Sequence, residues 1–299
     1  MKRFVDTVTE YLTRTGTVGN LPEHRDLKLY SNSSGYRILA DDQGSPSDLP
    51  QKDLMKALAA FTLLDNYFES RNPNLEGMSY RQRYLELPRA SRVDKLVGQI
   101  YRLLRIYRMA LLHPDGVIEP SRGYLRAACV TRGTAFNLIL TKAGLTLAQD
   151  FVTCYFNLLR LPYGEAYREA LLSQYYVDLA TEVKKFHDED ADLMRFHNRY
   201  QFNRHVRFDC GSPKYVIQGE RLVFELADSY CNPLRYPIDF FILVEDQLHI
   251  IPIEALQDKG LPLAELPRWR EQEIDPDQAS AQWLLKFGHK TTSNGGPMA

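Results

Sequence analysis

The chain has 299 residues, 44% hydrophobic and 25% charged, an ordinary composition for a globular protein that buries a core in one or two domains. Lysine plus arginine number 37 against 38 for aspartate plus glutamate, so the whole chain carries no field that attracts nucleic acid, and any RNA site must be a local patch. No run approaches the roughly 18 consecutive apolar residues of a membrane helix, and Met1-Lys-Arg-Phe-Val-Asp6 lacks a signal-peptide apolar region. A cytoplasmic protein without membrane contact is expected.

In chain order, a short helix is predicted over residues 2–14, one strand over Tyr36–Leu39 and a loop over Asp41–Pro50. A helix begins near Leu49, with Pro50 in its first turn, and runs to about Ser70 with Leu54, Leu58, Phe61, Leu64 and Phe68 on one face. Asn72-Pro-Asn74 is a turn, and a shorter helix occupies about 78–86 before Pro88 breaks it. The next helix spans about 92–112, with Val93, Leu96, Val97, Ile100, Leu103, Leu104, Tyr107 and Leu111 at three- and four-residue spacing. Pro114 disfavours helical geometry at His113 and ends it.

Tyr124–Val130 and Ala135–Leu140 read either as strands or as buried helix segments, being short, apolar and bounded by turn residues. Leu145–Leu159 reads as helix, and Tyr163 to about Phe196 as a longer one. Three β runs follow at Lys214–Ile217, Leu222–Leu226 and Phe240–Ile251, the last turning back as a hairpin at Glu245-Asp-Gln247. Thr291–Ala299 is polar and small, a tail expected to be disordered. No internal repeat is found.

Arg105-Ile-Tyr-Arg108-Met-Ala-Leu-Leu-His113-Pro114 is the site-like signal, an arginine and a histidine that between them handle the charge and the protons of a phosphodiester. On an ideal helix at about 100° per residue, positions five apart point roughly 140° from each other, so a frayed last turn is needed to bring Arg108 and His113 together. The local alternative is that Arg108 snorkels from a packed helix and His113 caps its end.

Ala59–Arg71, then Ser79–Pro88, then this motif helix together resemble the HEPN superfamily over about residues 51–120. The resemblance implies a small helical bundle and a metal-independent, homodimeric ribonuclease of toxin or phage-defence type, with RNA as partner and a possible antitoxin or regulatory protein. Arg108 would bind the scissile phosphate and His113 would move the proton, with the RNA 2′-hydroxyl as nucleophile and a 2′,3′-cyclic phosphate as product. Met109 stands where active members usually carry a polar residue, which points to the alternative: a noncatalytic HEPN-like module that binds RNA, nucleotide or protein.

Arg102 and Arg105 precede Arg108 at three-residue intervals and read as an RNA-tracking strip or as ordinary solvated helix surface. Arg195-Phe-His-Asn-Arg199-Tyr-Gln-Phe-Asn-Arg204-His-Val-Arg207 mixes basic and aromatic residues as an RNA-binding surface would, with Arg199 and Arg204 as candidate contacts; an acidic partner or a linker fits the same composition. His187-Asp-Glu-Asp-Ala-Asp192 holds enough ligands for a divalent metal, but a solvated acidic face explains it equally, and no metal or cofactor is expected. Cys129, Cys154, Cys210 and Cys231 lack zinc-site spacing and read as reduced thiols. The expected class is α+β and mostly helical: a HEPN-like helical domain at 1–120 and, at 121–290, a domain of further helices with a small antiparallel sheet.

Overall fold

The computed structural model describes residues 23–271 apart from 28, 30–50, 122, 161–162, 191, 212 and 246. The helix expected at 2–14, the strand at 36–39, the loop at 41–50 and the tail at 291–299 lie outside the described residues. The described residues form two compact units, one of 51–154 and 172–199, the other of 23–29, 155–171 and 200–271.

Chain order opens with strand β1 (Glu23–Asp26), which belongs to the second unit. The first unit then runs through helices α1 (Gln51–Arg71), α2 (Tyr80–Glu86) and α3 (Arg92–Leu112) into strands β2 (Val117–Ser121), β3 (Tyr124–Thr131) and β4 (Thr134–Thr141). Helices α4 (Lys142–Arg160) and α5 (Glu165–Glu182) each contribute residues to both units, and β5 (Val183–His187) returns to the first. Its sheet is antiparallel in the order β2-β3-β4-β5. Strand β3 alternates, with Leu125, Ala127 and Cys129 buried and Tyr124, Arg126 and Val130 exposed, as period-2 geometry requires of a sheet with one covered face. The β3–β4 hairpin turns on Arg132 and Gly133, both at positive φ (52° and 81°), the pair of left-handed residues that a twist-matched two-residue turn demands.

Helix α3 lies at the centre of this unit. Ser91 and Asp94 form a reciprocal capping box at its start, and it packs against both α1 and β3. Tyr101 meets the rings of Phe61 and Phe68 at 5.1 and 6.1 Å, and every residue from Leu96 to Tyr107 is buried. The helix is thus enclosed around its circumference over three turns, although its sequence is amphipathic.

The second unit continues with β6 (Val206–Gly211), β7 (Tyr215–Gln218), β8 (Arg221–Phe224), β9 (Ile238–Val244), β10 (Gln247–Pro252) and β11 (Gly260–Pro262). One sheet is mixed, in the order β1-β6-β9-β10 with β1, β6 and β9 parallel and the β9–β10 hairpin antiparallel; a second, β11-β8-β7, is antiparallel. Ile238 to Ile242 are all buried, the near-continuous apolar run of a strand covered on both faces. Phe240 stacks on Phe224 at 4.3 Å.

The mostly helical character expected of this α+β chain is overturned: among the described residues 46% are helical, 28% lie in strands, and there are three sheets. The two ambiguous runs at 124–130 and 135–140 are strands, and they supply the surface on which α3 rests. The helix predicted from Tyr163 to Phe196 ends at Glu182, where β-branched Val183 opens an edge strand with Phe186 facing inward. Of the two C-terminal sheets, β11-β8-β7 is antiparallel as expected, whereas β1-β6-β9-β10 is mixed, because β1 and β6 pair across about 180 residues of chain, a contact that no local pattern encodes.

Candidate functional site

The candidate site is built on α3, whose three arginines fall at positions 102, 105 and 108. Helical periodicity sets the first two on the enclosed stretch and the third at its margin. Arg102 is 2% exposed and grips Asp188 with two donors, Nε at 2.9 Å and Nη2 at 2.5 Å, while Nη1 donates to Gln99 Oε1 at 2.9 Å. Its guanidinium also lies over the rings of Phe186 and Tyr84, at 4.9 and 5.4 Å. Burial works against its charge, but Asp188 outweighs that and holds the pKa above the ordinary arginine value. Arg105 is 1% exposed, donates to Asp188 at 3.3 Å and to Glu189, and lies over Phe136.

Residues 102 and 105 therefore belong to an internal ion-pair network and do not form a solvated strip. They anchor the segment after β5 to α3: the Asp190 backbone N–H closes on Asp188, and the Met194 N–H and carbonyl reach Gln99 and Tyr176. The sequence contained a signal for this in the acidic run Asp188-Glu-Asp190, which reads as solvent-facing until its arginine partners are placed.

Arg108 differs. It is half-buried, its guanidinium stacks on Tyr80 at 4.4 Å with Phe61 at 6.0 Å, and among the described residues it makes no hydrogen bond or ion pair. The last turn of α3 does not fray: the helix holds to Leu112, and His113 is its C-cap in extended geometry, its N–H on the Met109 carbonyl. His113 Nδ1 accepts the Asp115 N–H at 3.3 Å, which places the proton of the neutral ring on Nε2. The structure thus brings Arg108 and His113 to the same end of one helix without a contact between them.

Arg199 is exposed, and Arg204, in the second unit, is half-buried beside His205. In the first unit Arg195, His197 and Arg199 are all exposed, and Arg92 ties that segment to the start of α3 by donating to the His197 carbonyl and lying over Phe196. Arg92 and Arg108 are 16 residues apart, about 24 Å along a helix, so the two basic regions do not converge on one phosphate.

Two acidic clusters have ligand-like spacing, and buried cations already serve each of them. Asp188, Glu189 and Asp190 face Arg102, Arg105 and Arg81. In the second unit, His24, Asp209 and Asp239 lie within 4.8 Å of one another. There His24 Nδ1 meets Asp209 at 2.9 Å, Tyr167 donates to Asp239 at 2.6 Å, and fully buried Arg207 clamps both Asp239 and Glu254. Burial opposes the Arg207 charge, yet these two carboxylates hold its pKa well above the ordinary value. Burial pushes the Glu254 carboxyl up, against the pull of Arg207. All four cysteines are free thiols, three buried and Cys231 exposed, and among the described residues no helix is long and apolar enough to cross a membrane. Compared with family models, curated proteins and solved structures, the chain matches none.

Proposed function

We propose that the protein is a noncatalytic RNA-binding module in which Arg108 receives a backbone phosphate. The observation that carries this reading is the contrast along α3: Arg102 and Arg105 are neutralised by carboxylates, whereas Arg108 lies over the Tyr80 ring with its donors given to no acid among the described residues. A guanidinium braced by an aromatic ring loses little freedom on binding and presents a planar fork to a phosphate. Arg195, His197 and Arg199 form a second exposed basic region for a longer strand.

The test is fluorescence anisotropy of end-labelled single-stranded RNA in EDTA. A charge-assisted hydrogen bond contributes roughly 1.5–3 kcal/mol, so Arg108→Ala should weaken binding about tenfold or more and lower the salt slope by about one phosphate. Unchanged affinity with an unchanged salt slope would sink the reading.

Cleavage is the second reading: the Asp115 N–H holds a His113 tautomer whose Nε2 proton can go to the departing 5′-oxygen, with solvent water taking the proton of the attacking 2′-hydroxyl. In this reading a homodimer sets Arg108 and His113 from two chains about one cleft. Total RNA incubated in EDTA should then yield 2′,3′-cyclic phosphate ends that disappear in His113→Ala, and size exclusion should report a dimer. Intact RNA bound by the wild-type protein leaves the noncatalytic reading standing alone.

A further inference from the structure

Among the described residues, the three sheets end in six edge strands, and five of these are shielded from further pairing. Strand β1 is ionisable throughout (Glu23-His-Arg-Asp26), β2 holds Glu119 and Pro120, β5 holds Lys184 and Lys185, and β11 is three residues long and ends at Pro262. The outer edge of β10 is covered by Arg270, which bridges to His249, and by Glu271, whose N–H bonds to the Leu248 carbonyl. Charge, proline, brevity and cover are the ordinary means by which an open ladder is kept from pairing with another chain. Strand β7, Tyr215-Val-Ile-Gln218, has none of them.

Hydrogen-bond parity sets what this edge offers. Gln218 and Arg221 close the β7–β8 hairpin across the two-residue turn Gly219-Glu220, with Gly219 at φ 58°, and at the other end the Glu225 N–H bonds to the Lys214 carbonyl at 3.0 Å. Lys214, Val216 and Gln218 therefore turn their backbone groups to β8, and Tyr215 and Ile217 turn theirs outward. Ile217 stands opposite Leu222 and on the same face as Phe224; both of those are buried, whereas Ile217 is 55% exposed. The apolar face of the sheet thus runs out to an open edge.

We infer that β7 pairs antiparallel with β7 of a second copy of this chain about a two-fold axis through Ile217, joining two three-stranded sheets into one. In this register the two Ile217 residues exchange both of their backbone bonds, Val216 stands opposite Gln218, and Tyr215 opposite Gly219. The next pair sets exposed Lys214 opposite exposed Glu220, twice by symmetry, so opposite charges close both ends of the ladder. Registers slid toward the start of the strand bring Pro213, which lacks an N–H, into the ladder and leave Lys214 beside Gln218 or Val216. A neutral strand flanked by one charge of each sign is complementary to itself, which selects a second copy over an acidic or a basic partner.

The experiment is sedimentation equilibrium of the full chain at increasing concentration. The wild type should approach twice the chain mass, and Ile217→Lys, which puts a charge on the axis at an exposed position, should weaken association at least about tenfold, with its fold checked by circular dichroism. Lys214→Glu and Glu220→Lys should each weaken the dimer by setting like charges opposite each other, and the double variant Lys214→Glu, Glu220→Lys should recover wild-type association. A wild type that stays monomeric, a dimer indifferent to Ile217→Lys, or a double variant as weak as the single ones would each overturn the proposal. Residues 213–220 lie in the second unit, and Arg108 and His113 in the first, so these variants leave the RNA experiments untouched and the dimer of the cleavage reading would survive Ile217→Lys.

Discussion

Replacing Asp188 by alanine should be among the most destabilising single changes in the first unit. The Arg102–Asp188 pair is 3% and 0% exposed at its side chains, which sets it apart from surface pairs worth about 0–1 kcal/mol. Without Asp188, Arg102 keeps, among its contacts to the described residues, the hydrogen bond to Gln99 and a long one, 3.5 Å, to the Asp192 carbonyl, while Arg105 keeps Glu189. A buried guanidinium then loses the carboxylate that grips it, and breaking one side of such a pair costs roughly 3–5 kcal/mol. That is a large share of a typical total of about 5–15 kcal/mol. With a urea dependence of about 2 kcal/mol per molar, the midpoint should fall by about 1.5–2.5 M. The assay is urea titration followed by circular dichroism, with hydrogen exchange on peptides from α3 and residues 183–199 to localise the loss. Arg102→Met with Asp188→Leu should recover most of the stability, because an apolar pair removes both charges together. A cost below about 1 kcal/mol for Asp188→Ala, or a double variant no better than the single one, would refute the argument that this network is internal.

Gly116→Ala should lower the melting temperature and perturb the end of α3, because the new Cβ would stand 2.1 Å from the Ala110 carbonyl oxygen; overpacking of this kind costs about 1–3 kcal/mol, and an unchanged melt would show that the turn yields freely. Stability should also fall as pH rises from about 4.5 to 8. Glu271 has its folded pKa raised above the unfolded one, so its contribution is complete below the unfolded value and is lost through the folded value, on the order of 5 kcal/mol at most. Glu271→Gln should flatten that slope in denaturation curves at pH 5, 7 and 9, and an equal slope in both proteins would count against a protonated buried carboxyl.

Much of the secondary structure in both units was legible because its signals are local. The helix predicted over 92–112 is Arg92–Leu112, since Ser91 and Asp94 cap its start and Pro114 ends it within a few residues of chain. The hairpin expected at Glu245–Gln247 joins β9 to β10, and the gap between the runs predicted at Lys214–Ile217 and Leu222–Leu226 is where β7 turns into β8. The left-handed Arg132-Gly133 pair was present in the sequence as well, and read as a hairpin turn it would have settled the two flanking runs as strands.

The candidate site was legible only as residue types. Helical spacing put Arg102, Arg105 and Arg108 near one another, but their periodicity is the same whether the helix lies at a surface or at the centre of a unit. Tertiary packing made the difference: α1 on one side and β3 on another enclosed residues 96–107, and low dielectric then required Asp188 and Glu189 to follow the arginines inside. The parallel pairing of β1 with β6, the strand that ends α5 and the orphaned Glu271 carboxyl have the same origin. By itself the sequence determined where helices start, where turns fall and which faces are apolar, because caps, prolines and side-chain period act over a few residues. Only the tertiary structure decided which charges are buried and with what partners, because that depends on contacts between residues far apart in the chain.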